Sequence, residues 1–435
     1  NPRPRNGLGL QRRKMPFLLP AWCFPVIFLL FPYTQVAQIR CLANQAEGKN
    51  ALRFPELISQ RVQLQAKMDQ ALLQPDALSR AVVTIPVVVH VVYKEPFENI
   101  SDEQIFSQMA VLNEDFRRLN SNAGSVPPPF APFAADMEME FCLAGHDPAG
   151  QPTSGITRRQ TTWSNIGDLP APDGRPRINY AELGGEDAWD SERYLNIWLG
   201  TIGGGALGMG TFPGTAPPEE DGVVIDPRYF GTTGLAASSA PHHLGRTATH
   251  EIGHFFNLKH IWGGDTNICD DDDEVADTPV QRSAYLGCPA FPQMSCGNSA
   301  MFMNFMDYTD DVCVSLFTLG QKARVWAALN IARPGLVGTV VCNTTTVGDL
   351  VAKSSFRLAP NPAKDMLWID FEEITSVPAQ ISVSDITGKV WMTQWTEKNA
   401  ATPVQLDVST LPAGYYMVSV LKARIFASQC FVKSP

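Results

Sequence analysis

Residues 250–260 read HEIGHFFNLKH, and this run constrains what the chain can fold into more than any other segment. His250 and His254 stand four residues apart, so a helix projects both from one face, with Glu251 beside the first. His260 lies six residues beyond His254, a spacing at which a straight helix does not bring it back to the same point. The three imidazoles can meet only if the helix stops between them. Asn257 is the expected exit, because a sharp helix end commonly needs a left-handed residue, and Asn ranks after Gly among those least penalised there. Three neutral imidazoles on an ion with one open position, and a carboxylate to take a proton from a metal-activated water, are what a zinc hydrolase requires. The bland alternative, three histidines packed on a core helix, leaves Glu251 between them without a reason.

The rest of the chain sets bounds. Its 435 residues allow two or three domains, and 44% hydrophobic with 18% charged residues is globular composition. A formal net charge of -10 offers no basic face to nucleic acid or anionic membrane, so no nucleic-acid partner is expected.

Arg12, Arg13 and Lys14 precede an apolar run from Phe17 to Phe31, followed by polar residues and the small Ala37. That is the layout of a signal peptide over residues 1–37, cleaved near Ala37. The run is short and interrupted by Pro20 and Pro25, so no stable transmembrane segment is expected. The chain opens on Asn1, and Met15 reads as the initiator, with the residues before it upstream translation.

Nine cysteines suit an exported protein in an oxidising compartment. Cys23 leaves with the signal. Cys269, Cys288, Cys296 and Cys313 cluster in a Gly-, Asp- and Pro-rich stretch that needs staples, and four cysteines permit three pairings. Cys142, Cys342 and Cys430 have no evident partners. Two readings stay open for Cys41: a thiolate filling the fourth position on zinc and holding the enzyme latent, or an ordinary thiol or disulfide.

Residues 38–80 carry a helical apolar pattern suited to a removable pro-segment. The β-branched run IPVVVHVVY, Ile85 to Tyr93, predicts a strand buried on both faces, with His90 a satisfied core histidine rather than a ligand. Ser101 and Gln104 predict a capping box opening a helix that turns Ile105, Met109, Leu112 and Phe116 to the sheet. Further strands are expected at Met137 to Leu143, Leu195 to Leu199 and Gly222 to Ile225. The result is an α+β domain, a helix laid on a sheet. Four acidic residues in a row, Asp270 to Asp273, with Asp277 behind, suit either a hard cation such as calcium or a solvated acidic loop.

HEIGHFFNLKH resembles the metzincin signature HExxHxxGxxH, with Asn257 in the Gly position. Together with IPVVVHVVY, ISDEQIFSQMAVLNEDFRRLN and MFMNFMDYTDDVC in the same order, it resembles the pappalysin family of metzincin proteases over roughly residues 40–342. The resemblance implies a catalytic domain over 81–342, with a twisted mixed sheet and an active-site helix. It implies a secreted zinc endopeptidase made as a latent zymogen, acting on protein and peptide substrates. It further implies Met306 as the Met-turn methionine under the imidazoles, and Tyr308 as a hydroxyl donor to the oxyanion. Asp311 becomes the base of a pocket favouring Arg, or Lys, after the scissile bond; the plain alternative is a solvated charge. Calcium is implied at Asp273, the Val275 carbonyl and Thr278, and disulfides at Cys269–Cys296 and Cys288–Cys313. Cys41 takes the place of a family pro-segment cysteine.

Residues 343–355 read as a linker. From residue 356 to 435, short alternating strands with turns at Asn361-Pro362, Thr387-Gly388 and Ala413-Gly414 predict a small all-β sandwich. FRLAPNP, ISVSDITGKVW, LDVSTLPAGYYMVSV and a final FVK resemble the C-terminal sorting domain of the type IX secretion system. That implies export through the periplasm, a secretion-machinery partner and a secreted or surface-attached product; an adhesion or carbohydrate-binding module is the alternative. For the whole chain, a cell-surface binding protein on a protease scaffold predicts erosion of Glu251 or a ligand histidine, and none is eroded. A zinc hydrolase with non-peptide substrates is disfavoured by Tyr308 and the Met-turn.

Overall fold

The computed structural model describes residues 40–73, 81–264, 268–338, 342, 356–371, 379–385, 390–396, 403–422 and 425–434. The signal segment 1–37, the linker 343–355 and the Thr387-Gly388 turn lie outside the described residues.

Two helices come first, α1 (Ala43–Arg53) and α2 (Pro55–Leu72). Phe54 separates them, and Pro55 opens the second, where the N–H it lacks would have had no intrahelical partner. The β-branched run forms β1 (Val83–Tyr93), spine of a six-stranded sheet with β2 (Met139–Leu143), β3 (Ile156–Gln160), β4 (Leu195–Leu199), β5 (Gly208–Gly210) and β6 (Val223–Ile225). One edge of β1 pairs in parallel with β4, and the other with β2 and then β3. β6 adds in parallel to β4, and the short glycine-bounded β5 ends that side antiparallel.

Helices α3 (Asp102–Phe116) and α4 (Arg246–Phe255) share a core with Ile85, Val87, Val89 and Val91. Val92 packs with Trp198 and Val224 in a separate cluster, which is why β1 reads as a continuous run rather than an alternating one. The predicted capping box on α3 is only half made. Ser101 Oγ accepts from Gln104 N, but the Gln104 amide donates to the Pro227 and Phe230 carbonyls and accepts from Leu235 N. Satisfying buried loop groups outweighs the local reciprocal bond.

After α4 the chain runs through a small hairpin, β7 (Met294–Ser295) and β8 (Asn298–Ser299), to α5 (Leu319–Ala332), which Thr318 and Gln321 open with a capping box. Disulfides join Cys269 to Cys296 and Cys288 to Cys313 along this loop. Cys142 and Cys342, read as lacking evident partners, are joined to each other. They are 200 residues apart in sequence, and the bridge of Ala144 to Cys342 brings them together at the end of β2.

The C-terminal region is all β. Strands β9 (Phe356–Ala359), β10 (Met366–Phe371), β11 (Ala379–Asp385), β12 (Val390–Trp395), β13 (Val404–Asp407), β14 (Gly414–Lys422) and β15 (Ile425–Lys433) form two sheets, ordered β13-β10-β9 and β12-β11-β14-β15. Leu367 and Ile369 of one sheet and Ile381, Val383 and Val418 of the other share one core. Among the described residues, no helix is long and apolar enough to cross a membrane.

Candidate metal centre and active site

Helix α4 carries His250, Glu251 and His254, all buried. It ends as the motif requires. Asn257 has φ 71°, its N–H reaches the His254 carbonyl at 2.8 Å, and Leu258 N reaches back to Gly253 O at 2.9 Å. This is a Schellman end with Asn in the left-handed position, and it swings His260 back toward the helix.

The three imidazoles then converge. His254 Nε2 lies 3.1 Å from His250 Nε2 and 3.1 Å from His260 Nε2. Their other nitrogens face carbonyls in two cases: His250 Nδ1 is 2.8 Å from Phe305 O, and His254 Nδ1 is 2.7 Å from Leu258 O. Burial pushes the His250 imidazole down to about 4, and burial plus neighbouring imidazoles hold His254 and His260 well below the usual range. Each ring is therefore neutral, and where a carbonyl takes the Nδ1 proton, the Nε2 lone pair is left to point inward. Zn–N bonds of about 2.0–2.1 Å in a tetrahedron set nitrogens about 3.3 Å apart, so this donor set fits zinc. Cys41 Sγ completes the group, with all four ligand atoms within 4.8 Å of one another.

The surroundings support that geometry. A Cβ on Gly253 would lie 2.5 Å from Met306 Sδ, so Met306 packs directly against the helix at this glycine. Trp262 stacks on His260 at 4.3 Å, and Phe212 meets His254 edge-on at 5.1 Å. β5 is glycine at both ends because a Cβ on Gly208 would come within 2.8 Å of Glu251 Cγ, and one on Gly210 within 2.2 Å of Glu251 O. Trp262, Phe212 and these glycines were not singled out from the sequence; the glycine-rich GGGALGMG and the Trp two residues past His260 were their only local signals.

Burial raises the Glu251 carboxyl to about 8, against hydrogen bonds from the Cys41 thiol and the Gly210 backbone. Cys41 Sγ is 3.2 Å from Glu251 Oε2. Tyr308 OH lies 3.2 Å from His260 Nε2. Asp307 steadies this tyrosine: Oδ1 accepts from Tyr308 N and Tyr285 N, and Oδ2 from Gln281 Nε2. Burial lifts the Asp307 carboxyl to about 7.

Asp311, weighed as a solvated loop charge, is 4% exposed and lines the pocket beside Glu251. Its Oδ2 accepts from Leu244 N at 2.8 Å and faces Arg246 N at 3.4 Å, and its Oδ1 lies 3.6 Å from His242 Nδ1. The acidic loop does not gather its carboxylates into one cluster. Asp271 accepts from Gly264 N, Asp272 from Glu274 N, and Asp277 from Thr318 Oγ1 and Gly320 N at the start of α5. Asp273 is different. Its Oδ1 accepts from Thr278 Oγ1 and Val275 N, while its buried Oδ2 has no hydrogen-bond partner among the described residues.

Comparison with known proteins agrees with this picture. The family model of the M43 peptidases, described as pregnancy-associated plasma protein-A, matches residues 182–330. An extracellular metalloprotease of Colletotrichum graminicola is 31% identical over 58% of this chain and 77% of its own length. Among solved structures, a Tannerella forsythia promirolysin variant is 40% identical over 68% of this chain and 97% of that one, with a TM-score of 0.61. Mirolysin bound to a small compound is 43% identical over 60% and 97%, with a TM-score of 0.56. A secretion-system C-terminal sorting domain matches residues 357–433. Fold and relatives together define a metzincin-type zinc metalloendopeptidase, secreted or held at the cell surface. The chain belongs to the pappalysin family.

Proposed function

We propose that His250, His254 and His260 hold the catalytic zinc, which when bound supplies Lewis acidity toward a water and a peptide carbonyl. The observation that carries this is the convergence of three neutral imidazoles, with His254 Nε2 at 3.1 Å from the Nε2 of each of the other two, beside a buried carboxylate. Glu251 takes the proton of the attacking water and returns it to the leaving amine. Tyr308 donates its hydroxyl to the oxyanion formed at the substrate carbonyl. Met306 is an apolar floor and no ligand. Chelation should abolish peptide hydrolysis and zinc should restore it; activity that survives complete chelation overturns the assignment.

Residues 38–80 act as the pro-segment of a zymogen and 81–342 as the catalytic domain. Residues 40 and 42 hydrogen-bond along the β5 edge, with Leu42 N on Gly208 O and Leu207 N on Arg40 O, and this delivers the Cys41 thiol to the metal centre. Further back, Arg53 grips Glu220 with two 2.7 Å bonds. Arg61 Nη2 and Gln65 Oε1 hold the two ends of the Asn257 amide, so the residue that ends the helix also receives the pro-segment. Replacing Cys41 by Ala should give the unprocessed chain measurable activity, and an unprocessed variant as silent as wild type would remove the thiol from the mechanism.

The pocket floored by Asp311 favours Arg or Lys after the scissile bond, supported by a buried carboxylate among its walls. Calcium is the proposed companion of Asp273, the Val275 carbonyl and Thr278. Burial pushes the Asp273 carboxyl up to about 7, its buried Oδ2 has no hydrogen-bond partner among the described residues, and Thr278 Oγ1 also reaches the Val275 carbonyl at 2.7 Å. Calcium should raise the melting temperature of the wild type and not that of Asp273→Asn.

A further inference from the structure

Asp307 is buried between Met306 and Tyr308, and its carboxylate is answered by neutral N–H donors. Oδ1 accepts from Tyr308 N at 2.7 Å and from Tyr285 N at 2.8 Å, and Oδ2 accepts from Gln281 Nε2 at 2.8 Å. One carboxylate thereby ties the main chain of Tyr308 to residues 281–285, part of the loop that the Cys269–Cys296 and Cys288–Cys313 disulfides staple. Asn304 holds the same turn from its other side. Its carbonyl takes Asp307 N at 3.0 Å, its Oδ1 takes Met306 N at 2.9 Å, and its amide is locked against Gln321 of α5. Gln281 is the member of this network that packing does not explain. Its Nε2 also donates to Ser283 O at 2.9 Å, so two acceptors fix the orientation of the amide. Its Oε1 is then buried with no hydrogen-bond partner among the described residues. An unanswered buried oxygen costs stability, so stability alone would not select an amide at this position.

We propose that Asp307 is a positioning residue for Tyr308, and that Gln281 and the stapled loop serve the reaction by holding Asp307 in place. This role rests on the reading of Tyr308 as the donor to the oxyanion. A donor lowers the barrier only where its oxygen stands within hydrogen-bond reach of the forming charge, and a misplacement of ~1 Å can cost about 10²-fold in rate. The Tyr308 hydroxyl lies 3.2 Å from His260 Nε2, and its ring meets Trp262 edge-on at 4.8 Å. These contacts set the plane of the ring, while the bond from Tyr308 N to Asp307 sets where the side chain starts. An asparagine at 307 presents one accepting oxygen and one donating nitrogen, so at least one of the N–H groups now bound there loses its acceptor and the turn shifts. The stapled loop is then a support of the reaction as well as a wall of the fold.

The test is a double-mutant cycle on processed, zinc-loaded protein with one peptide substrate. Asp307→Asn should lower kcat about tenfold with KM within about twofold of wild type, and Gln281→Leu should lower kcat about threefold. In the Tyr308→Phe background neither substitution should lower kcat further, because the hydroxyl they position is already gone. The same loss with and without that hydroxyl overturns the inference, since the two residues would then act on the fold or on the metal. A change confined to KM overturns it as well. Should Asp307→Asn not fold, Gln281→Leu decides alone: kcat at the wild-type level, or an undiminished loss in the Tyr308→Phe background, sets the proposal aside. A Tyr308→Phe variant as active as wild type removes the oxyanion-donor reading itself, and the positioning role with it.

Discussion

Buried histidine in β1 and at the end of α4 serves opposite ends. In β1, His90 is fully enclosed, with Nδ1 at 2.8 Å from Thr157 Oγ1 and Nε2 at 3.0 Å from Asn196 Oδ1. The asparagine oxygen can only accept, so Nε2 carries the proton and Nδ1 receives the threonine hydroxyl. Both nitrogens are satisfied by protein, and nothing is left to offer a ligand. At the end of α4, three histidines are equally buried, yet their Nε2 atoms face one another, where no proton arrangement satisfies all three as hydrogen bonds. Burial is common to both places. What separates structure from chemistry is whether each lone pair already has a donor.

The contrast breaks most decisively at Glu251. Glu251→Ala should lower kcat on the order of 10²–10⁴-fold in the processed protein, whereas His90→Gln should keep most of the activity. Full hydrolysis by the Glu251 variant would end the mechanism. Next in size, Tyr308→Phe should cost about 10²-fold in kcat with little change in KM, as expected for a donor used only when charge develops on the substrate oxygen. A pure KM effect would reassign Tyr308 to binding.

The His90 site makes a pH prediction. Burial depresses its pKa from 6.5 to about 4, so the unfolded chain binds the extra proton first as pH falls. The stability it contributes is complete above pH 6.5 and is lost progressively as pH drops toward 4, by roughly 3 kcal/mol in all. Denaturant titrations at pH 7 and pH 4.5 should therefore show a smaller acid loss in His90→Gln than in wild type. An equal loss would place the acid sensitivity elsewhere.

Zinc separates the two places directly. At a hundredfold excess over its Kd, zinc should stabilise the apo-protein by about 2.7 kcal/mol, in wild type and in His90→Gln alike, and not in His254→Ala. The smallest effect belongs to Asn257. Asn257→Val puts a β-branched residue at φ 71° and should cost about 1–2 kcal/mol, while Asn257→Gly should cost little stability but loosen the pro-segment that Arg61 and Gln65 hold there. Processing at the wild-type rate in the Gly variant would show that the amide contacts carry no weight in latency.

Much of this was readable along the chain because the relevant forces are local. The spacing of His250, Glu251 and His254 sets them on one helix, and a left-handed residue at Asn257 is a backbone preference. β1 was legible because a strand buried on both faces needs an unbroken β-branched run. The pairing of Cys142 with Cys342 was not, since only the sheet brings together residues 200 apart. The Gln104 amide was misjudged for the same reason: its real partners lie in the loop from Pro227 to Leu235.

The sequence by itself determined which groups the centre contains and the backbone turn that lets the third histidine return, because both follow from periodicity and single-residue conformational preference. Only the tertiary structure decided which lone pairs remain unanswered, that Asp273 keeps a buried oxygen without a partner among the described residues, and that Arg40 pairs with Asp310. Those outcomes depend on side chains far apart in the chain competing for the same donors and acceptors, and that competition is settled only once the fold has packed them together.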